Sequence, residues 1–299
     1  MACWIAATWI PELWIAMGRD WVASLPMYDF PELQDAHDAF WGALATRLVA
    51  AGLTDVPRAL TRGATPAQVW GSPRLLFAQG CEYPLAKAFG DRVRVVAHPM
   101  YSAAGCDGSR YRSAIVVRKN DPDQGSSVSS AGTGTVGLAG LRGRRCAINE
   151  PDSNSGMNLL RATIAQVASG EPFFGSVAVS GSHLRSVEMV ASGEADVAAI
   201  DCVSFAHFRR LYPSLVAGVR VLSWTASTPS LPYITAGTAS DETVRTLRAA
   251  LADVFDDSGL AQVRERLLLR GVDLSPKEGF GEVLNLERAA VSSGYPTLR

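Results

Sequence analysis

The sequence predicts an α/β protein of two lobes, each a mostly parallel sheet flanked by helices, with a cleft between them. Three observations lead there. The 299 residues exceed one ordinary core and suit two units of about 100–150 residues each. Short apolar or β-branched runs alternate with amphipathic helical patterns along most of the chain, as β-α-β units and parallel sheets require. Near the middle, residues 120–140 turn rich in Gly, Ser and Thr and read as a surface loop or linker, after which the alternation resumes.

The elements come in a clear order. A short strand at 22–26 runs into a loop holding Tyr28. A helix then carries Leu33, Phe40, Trp41, Leu44 and Leu48 on one face and closes at Gly52. A short strand near 59–61, a helix over 65–70, a strand over 75–78, the loop 79–83 with a short helix, and a strand over 93–97 come next. Residues 111–119 form a strong strand. Beyond the linker the spacing predicts strands at 145–149, 177–180, 197–200 and 219–224, with helices at 155–168, 183–192 and 203–212 between them. An extended stretch over 225–237 and helices over 241–255 and 258–269 complete the pattern, and the tail from Asp273 reads as irregular surface packing. Lobe 1 is thus discontinuous (21–117 plus 226–299), and lobe 2 (118–225) is inserted in it. Two crossings, near 117–121 and 225–229, would let the lobes hinge.

Composition excludes several classes. With 28 basic and 29 acidic residues the net charge is −1, so the broad basic field of a nucleic-acid binder is missing. The five cysteines (Cys3, Cys81, Cys106, Cys146 and Cys202) are scattered without a C-x-x-C pair, which argues against a disulfide scaffold or a zinc site. Cys146 and Cys202 sit in apolar runs and read as small hydrophobes. No apolar run approaches the roughly 20 residues of a membrane-spanning helix. Neither a metal nor another cofactor is implied.

Residues 1–20 stand apart. Trp4, Trp9, Trp14 and Trp21 recur through the start of the chain, Pro11-Glu12 interrupts the apolar run, and no Lys or Arg precedes Arg19. A secretory signal needs early positive charge and an unbroken apolar stretch. The segment therefore reads as an upstream extension outside the fold, with a membrane-surface segment as the alternative. The segment assigns no compartment.

The chemistry concentrates at Pro151-Asp152-Ser153-Asn154-Ser155-Gly156. A buried strand stops at Asn149, Pro151 turns the chain, and a helix opens whose apolar face is Met157, Leu160, Ile164 and Val167. At a helix start the first N–H groups lack helical partners and the dipole is positive, so an oxyanion is favoured there. Ser153, Asn154 and Ser155 add donors, and Gly156 permits close approach. Ser153 or Ser155 can equally be an ordinary N-cap. A second helix start, Gly181-Ser182-His183, brings an imidazole to another strand end, where open α/β sheets collect ligands. A nearby anion would favour its charged form. Asp201, after the strand at 197–200, either accepts from a ligand N–H or hydroxyl or caps the next helix.

These three motifs, with Gly193-Glu194-Ala195-Asp196-Val197 leading into Asp201, resemble the phosphonate-binding branch of periplasmic substrate-binding proteins over most of residues 22–270. The resemblance implies a type II periplasmic-binding-protein fold and a small oxyanion ligand of the phosphonate, phosphate or phosphite class. It also implies an ABC-importer permease as partner, or a related sensor role, for a monomeric protein. It assigns anion contacts to Ser153, Asn154 and Ser155, beside the close backbone approach at Gly156, and to His183, an amine-facing acid to Asp201, and first-lobe aromatic contacts to Tyr83, Tyr28 and Tyr101. No second acid for an amine stands out in 220–235. The rival reading is an enzyme on the same fold, acting on a pyrimidine precursor or another small metabolite, with Cys202 paired to His183 or His207. The spacing sets Cys202 and His207 on different helix faces, so no catalytic residue is assigned.

If residues 1–20 lie outside the fold, deleting them leaves the melting temperature nearly unchanged. A stability loss above about 2 kcal/mol, the scale of a truncated core side chain, would place their tryptophans in the core.

Overall fold

A computed structural model describes residues 21–121, 137–276 and 280–299. The predicted extension 1–20 and most of the predicted linker 120–140 lie outside the described residues. The strands are β1 (Val22–Ser24), β2 (Leu75–Gln79), β3 (Val93–Tyr101), β4 (Arg110–Tyr111), β5 (Ser113–Arg118), β6 (Arg145–Ile148), β7 (Ser176–Val179), β8 (Val197–Asp201), β9 (Val219–Trp224), β10 (Thr228–Pro229), β11 (Tyr233–Ala236) and β12 (Leu269–Asp273). The α-helices are α1 (Gln34–Ala50), α2 (Pro66–Trp70), α3 (Glu82–Pro84), α4 (Leu159–Ala168), α5 (His183–Ser192), α6 (Cys202–Leu211), α7 (Pro213–Val216), α8 (Asp241–Asp256), α9 (Ala261–Arg266) and α10 (Gly281–Ser292).

Two five-stranded sheets result, ordered β1-β2-β11-β3-β12 and β7-β6-β8-β5-β9. In the first, β11 runs antiparallel between β2 and β3, so β1, β2 and β3 share one direction. In the second, β5 runs antiparallel between β8 and β9, and the other strands share a direction. The apolar periodicity of α1 explains its packing. Phe40, Trp41, Leu44 and Leu48 are fully buried, and Trp41 stacks on Phe77 of β2 while its Nε1 donates to the Pro57 carbonyl at 3.0 Å.

The structure departs from the sequence-based expectation at four places. Residues 59–61 are not a strand, although Thr61 lies beside β1, its N–H donating to the Ala23 carbonyl at 2.7 Å. Strand β5, expected to end the first lobe, belongs to the second sheet, since both its edges are paired there. The first crossing between sheets therefore falls in 102–112, not at 117–121. It is joined to the second crossing by a two-stranded ribbon in which β4 pairs with β10, Tyr111 opposite Thr228.

At the C-terminus, the helix expected over 258–269 stops early. Leu268 adopts a left-handed conformation (φ 58°), and the chain reverses into β12. The tail is not irregular. It forms α10, with Val283, Ala290 and Tyr295 buried, packed on α4.

Tyr295→Ala tests this last point. A fully buried aromatic costs about 3–5 kcal/mol when truncated, whereas a surface tail residue stays within about 0.5 kcal/mol. Urea unfolding should give the larger value.

Candidate functional site

The buried strand β6 ends at Ile148, and Pro151 turns the chain toward Ser153. Ser153 has extended backbone (φ −68°, ψ 131°), and its Oγ accepts the Gly156 N–H at 3.0 Å, so Ser153 is the N-cap. One wide π-helical turn, Asn154–Asn158, then leads into α4. Its width shows in the Asn158 N–H reaching back five residues to the Ser153 carbonyl at 3.0 Å.

Each residue of that turn has its own task. Ser155 Oγ lies 2.8 Å from His183 Nε2, and the Ser155 carbonyl accepts from Ser113 Oγ at 2.9 Å. Asn154 is fully buried and its amide is committed. Nδ2 donates to Tyr111 Oη at 3.0 Å and to Thr228 Oγ1 at 3.1 Å, while Oδ1 accepts from Asn158 Nδ2 at 2.9 Å. Those first two partners are the paired residues of the crossover ribbon. Asn154 therefore ties the helix start to both crossings instead of offering its side chain to a ligand.

Gly156 is needed for packing. A Cβ there would fall 1.8 Å from Asn149 Oδ1 and 3.3 Å from His183 Cε1. The space that the absent side chain leaves is already filled by the Asn149 amide.

His183 is the first residue of α5. Gly181, at φ 86°, turns the chain out of β7, and Ser182 Oγ caps the helix by accepting the Arg185 N–H at 3.1 Å. Burial pushes the His183 pKa down to about 4, so the ring is neutral at pH 7. The expectation that a neighbouring anion keeps it charged does not describe the free protein. Nε2 faces Ser155, and Nδ1 is buried without a hydrogen-bond partner.

Asp201 ends β8, directly across the ladder from Ser113. Both of its oxygens are engaged. Oδ1 caps α6 by accepting the Ser204 N–H at 2.8 Å, and Oδ2 accepts the Tyr28 hydroxyl at 3.1 Å. Burial raises its pKa to about 6. The Tyr28 ring meets Tyr101 edge-on at 5.4 Å, and Tyr101 Oη accepts from Gln79 Nε2 at 2.7 Å.

The structure thus gathers Ser153, Asn154, Ser155, Gly156 and His183 in one cluster and joins Asp201, Tyr28 and Tyr101 in a second, with Ser113 touching the first and lying across the ladder from Asp201. Tyr83 is not brought to either. Its hydroxyl donates to Glu287 of α10 at 2.8 Å, beside Arg161. Ser113, Tyr111 and Thr228 carry no local motif that would single them out. Only the strand pairings bring them near residue 154. Cys202 and His207 do not form a nucleophile pair. Cys202 Sγ faces Cys106, and both His207 ring nitrogens are buried without partners beside Tyr28 and Phe30. Among the described residues no helix is long and apolar enough to cross a membrane.

The family of periplasmic substrate-binding proteins of ABC phosphonate transporters matches the chain over residues 72–275. Among solved structures, a binding-protein component of an ABC phosphonate transporter from Pseudomonas aeruginosa is 16% identical, with a TM-score of 0.70, covering 92% of this chain and 89% of that one. PhnD1 from Prochlorococcus marinus in complex with methylphosphonate is 16% identical, with a TM-score of 0.69, covering 90% of this chain and 97% of that one. A Xanthomonas citri protein bound to chloride is 15% identical at a TM-score of 0.66, covering 91% of this chain and 98% of that one. No curated sequence matches the chain.

The Gly156 contact yields a direct test. Gly156→Ala should destabilise by about 1–3 kcal/mol through overpacking, and Asn149→Ala should recover much of that loss in the double variant. Additive losses in a double-mutant cycle would show that the two positions are independent.

Proposed function

The chain belongs to the family of periplasmic substrate-binding proteins of ABC phosphonate transporters, and we propose that it captures a small oxyanion of the phosphonate, phosphate or phosphite class between its two sheets for delivery to an importer. The observation that carries this reading is the 2.8 Å contact between Ser155 Oγ and His183 Nε2. It joins two helix starts from separate parts of the chain at the carboxyl ends of β6 and β7, where an open sheet offers its ligand site.

An oxyanion there would meet the positive end of the turn that leads into α4, the Ser155 hydroxyl and the imidazole. None of these groups carries a formal charge in the free protein. The anion would supply the missing acceptor for a second imidazole proton, so His183 would take up a proton as the ligand arrives. On the opposite side Tyr28, from the loop after β1, reaches Asp201 at the end of β8. A bond between elements of the two sheets is a natural latch for a closed form. The crossings at 102–112 and 225–232, held by the β4–β10 ribbon, would supply the hinge.

Calorimetry with methylphosphonate, phosphate, phosphite and an aminoalkyl phosphonate tests the reading. Ser155→Ala and His183→Ala should each weaken the preferred anion about 10- to 100-fold, the effect of losing one hydrogen bond to a charged group. Asp201→Asn should weaken the aminoalkyl ligand and spare methylphosphonate. Binding should take up a proton, visible as an enthalpy that varies with the buffer. Because the free His183 pKa is about 4 and the bound value is higher, affinity rises as pH falls through the bound pKa toward 4. Wild-type affinity in both Ala variants would leave Ser155 and His183 as packing groups and sink the assignment.

A further inference from the structure

We infer that Cys106 and Cys202 form a reversible disulfide bond that pins the crossing between β3 and β5 to the start of α6. Their sulfurs lie 3.4 Å apart although the two residues are 96 positions apart in sequence. The backbone brings them together on both sides. Cys106 closes a turn in which its N–H donates to the Ala103 carbonyl at 3.0 Å, and the Cys202 N–H donates to the Arg112 carbonyl at 3.2 Å. Gly105 shows how tightly that turn is pressed on α6. It sits at φ 101°, and a Cβ there would fall 2.7 Å from Trp224 Cζ3 and 2.9 Å from Cys202 Cβ. A disulfide needs its sulfurs at about 2.05 Å, so the pair must close by little more than an ångström from 3.4 Å. The other described cysteines face elsewhere. Cys81 Sγ accepts the Asn154 N–H at 3.4 Å, and Cys146 is buried in β6.

The oxidant is a small-molecule disulfide of the glutathione type. Cys106 is half-buried and Cys202 is buried, so Cys106 reacts first. Its thiolate attacks one sulfur of the oxidant, whose S–S bond breaks to release one thiol. Cys202 then gives up its proton and attacks Cys106 Sγ, expelling the second thiol. Two protein thiols lose two electrons, and the oxidant's disulfide gains them as two thiols. The hydrogen bond to Cys106, and after it burial, hold the Cys202 thiol protonated, which makes the second step the slower one. The bond would close a loop of roughly 100 residues, a span over which a cross-link restricts the unfolded chain strongly. It would also fix the first crossing against the helix that Asp201 caps, and it stands or falls independently of the ligand reading.

The test uses the full chain. After incubation with oxidised or reduced glutathione, free thiols are trapped with a maleimide under denaturing conditions and mapped by mass spectrometry. The expected result is that two of the five cysteines become protected as one Cys106–Cys202 peptide, that dithiothreitol reverses this, and that oxidation raises the melting temperature by several degrees. Cys106→Ser, a change at a half-buried site, should fold and show no such rise. Five trapped thiols, a different pairing, a mixed disulfide that never resolves, or an oxidised protein no more stable than the reduced one would each overturn the inference.

Discussion

The Asn154 side chain is the constraint on which the site depends. A buried amide left without partners costs on the order of 1–3 kcal/mol for each orphaned group, so its geometry is dictated by what it can reach. Here it reaches Tyr111 and Thr228, one from each crossing between the sheets, and it receives Asn158 from its own turn. The helix start cannot move relative to the ribbon without breaking those bonds. This is why Ser155, the next residue, is held against His183, and why its carbonyl meets Ser113 at the start of β5. One polar side chain fixes the position of the candidate site relative to the two crossings between the sheets.

The wide turn obeys the same constraint. Across the π-helical turn Asn158 Nδ2 donates to Asn154 Oδ1 at 2.9 Å and to the Val283 carbonyl of α10 at 3.1 Å. The C-terminal helix thereby buttresses the candidate site from behind. That explains why a segment that looks like trailing surface in the sequence is buried in the structure.

What can be read from the sequence is local. The apolar face of α1, the alternation of strands and helices, the two Ser-rich helix starts and His183 are all short-range patterns, and the helices and strands that carry them stand where spacing puts them. Long-range facts are not legible. A fully apolar run such as Ala114-Ile115-Val116-Val117 announces a buried strand but not which sheet will bury it, so the sequence alone sets β5 on the wrong side of the crossing. The 267–269 leucine run continues a helical pattern until Leu268 turns left-handed and sends the chain into β12. The family resemblance marks Tyr83, in the loop 79–83, as a first-lobe aromatic contact. The partner that claims it, Glu287, lies some 200 residues away on a helix that the sequence pattern does not reveal. Asn154 shows the same limit from inside the site, because the partners of its amide belong to two strands that meet only in three dimensions.

The electrostatics of the site give its chemistry a particular character. All four histidines, His37, His98, His183 and His207, are held below the ordinary imidazole pKa, with burial the first cause for each. Burial likewise holds Asp201 above the usual carboxylate range and the Tyr28, Tyr101 and Tyr111 phenols above theirs. These are the marks of an interior poor in water, where charge is costly and oriented dipoles act strongly. The side chains hydrogen-bonded to Ser155 are those of Ser113, Ser153 and His183, with no Lys or Arg among them. An oxyanion entering there would be held by hydroxyls, amide N–H groups and a helix start. Such a site would discriminate by the number and direction of donors, because every ligand oxygen that failed to find one would retain its full desolvation cost. In the proposed reading affinity would be coupled to protonation. Among those partners the group that could answer a negative charge with a positive one is His183, whose pKa burial lowers to about 4 and a bound anion would raise.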